Sequence, residues 1–489
     1  MNKRKHYTMD TFLMIILVIL SAVMIYTIFN VAGPSWDITA RYLNGKTLFD
    51  YIMQLKSASP LPANLVFSGE ALNNLRYYFE PYREPLSTPI FAGLDIFFSN
   101  SILPYMILSL VVYIFAVLAL GRELGVDKLI MLAAFVNPYA IYFFFMLNGG
   151  EGLAVVFVFI GIIYLLRKNP ISGLFFGIAV LAKYPALIFL PIVILLWDWK
   201  KTITAGILAI APIVLWGIID GIVWGTPFSS YLLSIQYSNV TTATFGINIF
   251  AVLAVIIYPI IFIAIGLQYF KKRHFNIWSN YRNRVLTILV VLSALGYIAI
   301  LPHNDPFTQA RYGFLLGAIL MIIAAIVINT AALKRKNLKY IAVAISVLSM
   351  IIPIIGFVYI NFNNNTHLGG VLLGNQTVGQ LEYFNPENPS SIFIKANTEL
   401  KSLGFSNCRI ISNAWIFMLY SGQDTYSPYA IYPDNQQAEY PVVIFNLVGV
   451  PVQQTPIYNK LDNMEYQYNY TDMTIYIPHN AQCYPYNET

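Results

Sequence analysis

Long apolar runs separated by short basic loops make up most of the chain. The first run, Thr11 to Val31, is about 20 residues long, carries no charge and ends without a small-residue cleavage site. It therefore reads as a membrane span rather than a signal peptide. Further runs predict spans over 101–120, 129–147, 152–166, 202–224, 249–270, 285–301, 312–333 and 339–360. The run from Ile171 to Trp197 is long for one span and has basic residues at both ends. Lys183-Tyr184-Pro185 interrupts it, and the proline disfavours helix at Tyr184. Two short helices folded as a hairpin, with Lys183 at the apex, keep both basic ends on one side. The total is about eleven membrane segments.

Basic residues mark the sides of this threading. Lys3-Arg4-Lys5, Arg167-Lys168, Lys200-Lys201, Lys271-Lys272-Arg273 and Lys334-Arg335-Lys336 all fall in short connections. That is the pattern of cytoplasmic loops, so the N-terminus is placed inside. The composition agrees: 57% of the 489 residues are hydrophobic and only 11% are charged. A soluble domain carries about 25% charged residues, so an ordinary soluble enzyme is excluded. The net charge of +6 arises from these loops, which argues against a nucleic-acid partner.

Two regions depart from the membrane pattern. The segment 33–100 is too long for a plain connection and predicts helices lying on the outer membrane surface. After about residue 361 the chain is rich in Asn, Gly and Pro, a linker over 361–391, and then turns globular over 392–489. There Lys395–Leu403 and Ala414–Tyr420 predict helices, and Arg409–Ser412, Val442–Phe445 and Met473–Ile477 predict strands. The expected fold is thus an all-α polytopic membrane bundle over 1–360 with a small extracytoplasmic α/β domain. Sequons begin at Asn239, Asn364, Asn375, Asn469 and Asn487, and all five fall outside in this threading. The two cysteines, Cys408 and Cys483, both lie in the C-terminal region. In an oxidising exterior they can form one disulfide, whose long loop is worth roughly 4 kcal/mol in chain entropy; the alternative is two free thiols.

Charged residues near a bilayer are costly and need a reason. Most of the unusual ones fall at the outer ends of the predicted spans. Asp37 follows Trp36 just after the first span. Glu80, Arg83 and Glu84 occur in Tyr78-Phe79-Glu80-Pro81-Tyr82-Arg83-Glu84-Pro85. Glu151 follows Gly149-Gly150, Lys183 sits at the hairpin apex, and His303, Asp305 and Arg311 occur in Pro302-His303-Asn304-Asp305-Pro306 through Arg311-Tyr312. One outer cavity would bring these acids and bases together. Each has a structural alternative: Asp37 as an N-cap of a surface helix over 38–50, Lys183 snorkelling, Glu151 balancing a helix N-terminus, Arg311 anchoring a loop, and Glu84 pairing with Arg83.

At four places the sequence resembles the GT-C superfamily of integral membrane glycosyltransferases. Ser35-Trp36-Asp37 lies in a long first outer loop, where that family keeps its catalytic aspartate. Arg83-Glu84-Pro85-Leu86 is similar to the Glu-Lys-Pro-type motif of the aminoarabinose and protein-mannose transferase branch. Asn137-Pro138 through Asn148-Gly149-Gly150-Glu151, followed by Gly177 to Lys183-Tyr184-Pro185 and Leu190-Pro191, resembles the mannosyltransferase-type core. Ile411-Ser412-Asn413-Ala414 with Tyr420-Ser421-Gly422 resembles the outer domains of prokaryotic members. The sequence also departs from the family. Asp37 stands alone rather than in an Asp-X-Asp or Asp-Glu pair, so a Mg or Mn requirement is not implied. Arg83 precedes Glu84 where the motif has a lysine after the acid, and no Trp-Trp-Asp-Tyr-Gly motif of oligosaccharyltransferases occurs.

The resemblance implies inverting transfer of a hexose-type sugar from a polyprenyl-phosphate donor to a hydroxyl of an acceptor glycan, lipid or protein. It implies Asp37 as the base, with Lys183, Arg83, Arg311 and His303 toward phosphate or sugar, and Glu84, Glu151 and Asp305 completing the substrate site. The setting would be a plasma membrane, and the Ile-, Tyr- and Asn-rich usage fits a prokaryotic surface, archaeal included. The main alternative is a transporter, which predicts paired repeats and midplane charges; no repeat is visible. A surface-binding protein on a membrane anchor is a third class, and ten or more spans exceed what an anchor needs.

Overall fold

The computed structural model describes residues 2–32, 36–57, 84–98, 101–146, 150–232, 247–268, 280–301, 306–363, 392–405, 408–414, 417, 425–426, 440–446, 457–458, 461, 464–471, 473–478 and 481. It is mostly helical. In chain order the helices are α1 (Asn2–Ala32), α2 (Trp36–Ser57), α3 (Ser87–Asp95), α4 (Ile102–Leu124), α5 (Lys128–Phe135), α6 (Pro138–Ala140), α7 (Gly150–Leu166) and α8 (Ser172–Ala182). They continue with α9 (Trp199–Trp224), α10 (Ile249–Leu267), α11 (Tyr281–Ile300), α12 (Pro306–Tyr312), α13 (Phe314–Ala332), α14 (Asn337–Asn363) and α15 (Ile392–Ser402). A π-helix, Ile141–Met146, extends α6, and a 3-10 helix, Tyr184–Leu196, follows α8.

Among the described residues seven helices are long and apolar enough to cross a membrane: those containing Met9–Phe29, Ile102–Leu124, Trp199–Trp224, Ile249–Leu267, Tyr281–Ala299, Phe314–Ala332 and Asn337–Gly356. Their outer faces fit a lipid environment. Ile207, Leu215 and Ile218 of α9, for example, are exposed along one side. The remaining apolar segments do not reach span length alone, which corrects the reading of 129–147 as one continuous span. There α5 and the following helix meet at a 60° bend. Asn137 is extended (φ −144°, ψ 159°) and its side chain accepts the Ala140 N–H, so a new helix starts at Pro138. Proline suits a first helical turn because it has no N–H to leave unpaired there. With α5 and α6 as one broken span the total is eight; Gly150–Leu166, Ser172–Ala182 and Tyr184–Leu196 are shorter apolar helices.

The run from Ile171 to Trp197 breaks where the proline predicts. Helix α8 ends at Ala182, Lys183 is extended (φ −158°, ψ 115°), and the 3-10 helix begins at Tyr184. Phe176 and Phe189 lie on either side of the break with ring centroids 6.5 Å apart. Thirteen residues of continuous helix would separate them by roughly 20 Å, so the segment folds back on itself. Glycines hold it against α9: a Cβ on Gly173 would lie 1.9 Å from the Ala205 carbonyl oxygen, and one on Gly177 2.2 Å from that of Ala209. Small residues spaced by four permit this backbone approach between apolar helices.

Opposite the hairpin apex, an ionic clamp ties three helices. Lys339 Nζ of α14 donates to Asp10 of α1 at 2.6 Å and to Asp127 at 2.9 Å. Asp127 also caps α5 through the Leu129 and Ile130 N–H groups, and its own N–H donates to Asn329 of α13. From this clamp α14 runs 27 residues, about 40 Å, toward the opposite end of the bundle, and the C-terminal domain follows.

That domain is a five-stranded sheet in the order β2-β1-β3-β5-β4: β1 Ile410–Ser412, β2 Thr425–Tyr426, β3 Val442–Phe445, β4 Tyr466–Asn469 and β5 Met473–Ile477. Strands β2, β1 and β3 run parallel, and β5 and β4 are antiparallel additions. Phe393 of α15 packs on Phe417 and Phe445 at 5.4 and 5.0 Å, forming the core on one face. The sequence misses β2 and β4, which are short and polar. The expected helix Ala414–Tyr420 and the linker fall largely outside the described residues. Cys408 is buried and disulfide-bonded; Cys483, the other cysteine, lies outside the described residues.

Candidate functional site

Six ionisable side chains from five elements meet at the end of the bundle where the hairpin turns. Helix α2 starts at Trp36, so Asp37 lies inside its first turn rather than at an N-cap. That corrects the capping alternative and the expected helix over 38–50. One turn later, on the same face, is Arg41. Arg41 is fully buried and ion-pairs with Glu84. Its Nη1 also donates to the Glu84 carbonyl at 3.1 Å and to Ser87 Oγ at 2.9 Å. Glu84 is thus held by Arg41, not by its neighbour Arg83, which lies outside the described residues.

Lys183 is the link between the segment that carries Glu84 and the hairpin. Its Nζ lies 2.9 Å from Glu84 Oε1 and 3.5 Å from Glu151 Oε1. The Leu86 N–H donates to the Leu181 carbonyl at 3.1 Å and sets this register. Helix α7 enters beside them at Gly150, where an added Cβ would lie 2.6 Å from the Ala182 oxygen and 3.1 Å from Arg41 Nη2. Glycine therefore lets the first turn of α7 bring Glu151 into the cluster. Glu151 is fully buried, and its Oε1 accepts from Arg311 Nε at 3.0 Å. Arg311, from α12, closes the chain with Nη2 2.6 Å from Asp37 Oδ2. Tyr312 lies under both cations, its ring centroid 5.8 Å from Lys183 Nζ and 5.8 Å from Arg311 Cζ.

The arrangement holds three carboxylates and three cations. Burial pushes the Glu84 carboxyl toward protonation, but Lys183 and then Arg41 outweigh it and hold its pKa at about 2. Burial likewise works against charge on Arg311, and Asp37 and Glu151 more than offset this, raising its proton affinity. Buried pairs of this kind are poor sources of net stability, because desolvation offsets most of the attraction. One acceptor is left over: Glu151 Oε2 is buried with no hydrogen-bond partner among the described residues. A buried, compensated set of acids and bases with a spare carboxylate oxygen can bind an anion by exchange of partners and can accept a proton.

Of the residues expected from the sequence, Asp37, Glu84, Glu151, Lys183 and Arg311 come together. Arg83, His303 and Asp305 lie outside the described residues. Arg41 was missed, although its i,i+4 spacing from Asp37 was a usable signal. Asp220 was missed too. It is buried near the far end of α9 and accepts from the Ser230 N–H at 3.0 Å. Among the described residues no three His, Cys, Asp or Glu side chains group as a metal site would need.

No family model matches the chain, and neither the curated proteins nor the solved structures give a match. Class and function therefore rest on the geometry above. The class it defines is a multi-pass, mostly helical membrane protein with a small C-terminal sheet domain.

Proposed function

We propose that the protein is a GT-C-type membrane glycosyltransferase. It would move a hexose-type sugar from a polyprenyl-phosphate donor to a hydroxyl on an acceptor glycan, lipid or protein. The observation that carries this reading is the convergence of Asp37, Arg41, Glu84, Glu151, Lys183 and Arg311 at one end of an apolar bundle. A donor whose phosphate sits at the membrane surface needs cations there, next to a base. In this reading the site end is extracytoplasmic and the N-terminus cytoplasmic, as the basic loops at the Lys339 end favour. About eleven segments are embedded, counting the broken span and both arms of the hairpin.

The chemistry follows from the pairings. At rest Asp37 is held by Arg311. A donor phosphate competes for Arg311 and Lys183, and drawing Arg311 away frees the Asp37 carboxylate. Asp37 takes the proton of the acceptor hydroxyl as that oxygen bonds to the anomeric carbon. The bond from that carbon to the phosphate oxygen breaks on the opposite face, so the centre inverts. The phosphate leaves with the electron pair and is met by Lys183 and Arg311. A positioned base contributes about 10²–10⁴-fold, and a fixed cation on the leaving group about 10²–10³-fold. The test is incubation of purified protein with a panel of polyprenyl-phosphate hexoses. Mass spectrometry should find free polyprenyl phosphate and a hexose-bearing acceptor; intact donors throughout, with folded protein, would refute the assignment.

A transporter is the second reading. The 60° break at Asn137 adds a second interrupted segment to the hairpin at Lys183, and interrupted helices are a transporter feature. The ionisable groups, however, gather at one end of the helices rather than midway. Proteoliposome uptake of polar and lipid-linked substrates discriminates: uptake with no bond cleavage would favour transport.

A further inference from the structure

Among the five sequons, Asn469-Tyr470-Thr471 is the one whose asparagine falls within the described residues. Asn469 ends β4, and the Tyr470 N–H donates to the Met473 carbonyl at 2.9 Å, so the sequon occupies the tight turn into β5. Asn469 and Thr471 are exposed. Two hydrogen bonds reach the Asn469 side chain, from Gln467 Nε2 at 2.9 Å and Thr474 Oγ1 at 3.2 Å. Both fall on Oδ1, and neither uses Nδ2, the atom an N-linked sugar would occupy.

An independent observation concerns the strand itself. Among the described residues β4 is an outer strand of the sheet, paired in regular register with β5, and all four of its residues are exposed. Open edges template pairing with another chain, and natural proteins guard them with lysine, proline, a bulge or a cover. Tyr466-Gln467-Tyr468-Asn469 has no lysine, proline or bulge. It instead presents Tyr466 and Tyr468, 51% and 37% exposed, two residues apart and so on one face.

We propose that Asn469 carries an N-linked glycan and that this glycan blocks the open β4 edge against pairing with a second copy. The proposal rests on the extracytoplasmic placement of the sheet domain given above. The donor is a lipid-phosphate- or lipid-pyrophosphate-linked saccharide, used by a separate transferase acting on Asn-X-Ser/Thr. Asn469 Nδ2 bonds to the anomeric carbon and loses one proton to that enzyme. The bond from the anomeric carbon to the phosphate oxygen breaks, and the lipid phosphate leaves with the electron pair. A bulky, hydrated saccharide at the last β4 residue keeps a second strand from approaching.

The test uses the full chain, produced in a host that N-glycosylates its surface proteins. Peptide mass spectrometry should recover the Asn469 peptide with a saccharide mass increment, lost in both Asn469→Gln and Thr471→Ala. Both variants should shift toward dimers and larger species on size exclusion. A Lys395→Cys variant, labelled in intact cells with an impermeant maleimide, reads the side of the domain separately. Labelled cells with an unmodified Asn469 peptide overturn the glycan while leaving the placement intact. No labelling and no modification overturn both. A modified peptide without any size shift in the two variants overturns the guarding role.

Discussion

At one end of the bundle Asp10 and Asp127 clamp Lys339; at the other, three acids and three bases form a continuous chain from Arg41 to Asp37. The pairing distances are alike, yet the settings differ. The clamp side chains are 15–38% exposed, and Asp127 has a second, architectural task as the cap of α5. In the six-residue cluster Arg41 and Glu151 have no exposure at all, and one Glu151 oxygen has no partner among the described residues. The clamp fastens α1, the start of α5 and α14 where water helps to solvate the charges. The cluster draws on five elements, holds Arg41, Glu84, Lys183 and Glu151 below 10% exposure with Asp37 and Arg311 at its partly exposed edge, and keeps an acceptor that no ion pair uses among the described residues. In the proposed reading, burial and redundancy, rather than the presence of ion pairs, set the site end apart from the clamp.

Several substitutions would break or sharpen that contrast. Glu84→Ala strands Arg41 and Lys183 in a dry setting and should destabilise the detergent-solubilised protein by about 3–5 kcal/mol, seen as a lower melting temperature. A loss no larger than that of a surface pair would mean the cluster is solvated. Lys183→Met leaves Glu84 with Arg41 and Glu151 with Arg311, so it should cost less stability than Glu84→Ala while lowering sugar transfer about 10²–10³-fold, since the departing phosphate loses a cation. Full transfer by this variant would remove Lys183 from the site. Acid should act on the cluster through Glu84. Glu84 has a folded pKa near 2, below its ordinary 4.5, so its contribution is complete above about pH 4.5 and is lost as pH falls toward 2. Melting temperature measured across that window should drop for wild type and drop less for Glu84→Gln. The smallest effect is expected for Lys339→Met, below about 1 kcal/mol as for partly exposed pairs, with transfer unchanged. If Lys339→Met abolished transfer as fully as Lys183→Met, the distinction between the two ends would fail.

Much of the membrane region was legible because apolar runs bounded by basic loops need no tertiary knowledge. The break at Lys183 was readable from one proline in an overlong run. The break at Asn137 was not, because the run over 129–147 has ordinary span length, so nothing beyond the Asn137-Pro138 pair itself asked for a break, and the extended Asn137 backbone shows it. In the site, glycines and prolines beside lone charges pointed to Glu84, Glu151 and Lys183. Arg41 escaped because the expected helix began at residue 38 and left Asp37 outside it, as a loop acid or a cap. Once α2 is known to run through both, the i,i+4 spacing is evident. Asp220 lies within an apolar run, where a charge asks for a partner; Ser230, ten residues on, is the partner that the fold supplies. The polar strand β4 has no buried face to give it a period, so only its pairing with β5 reveals it.

The most direct measurement is single-turnover sugar transfer from a polyprenyl-phosphate hexose by wild type and by Asp37→Asn, with folding of the variant confirmed by its melting curve. The variant is predicted to keep its fold and to slow transfer about 10²–10⁴-fold. Equal rates in the two proteins would contradict the assignment of Asp37 as the base, and with it the role given to the Asp37–Arg311 pair.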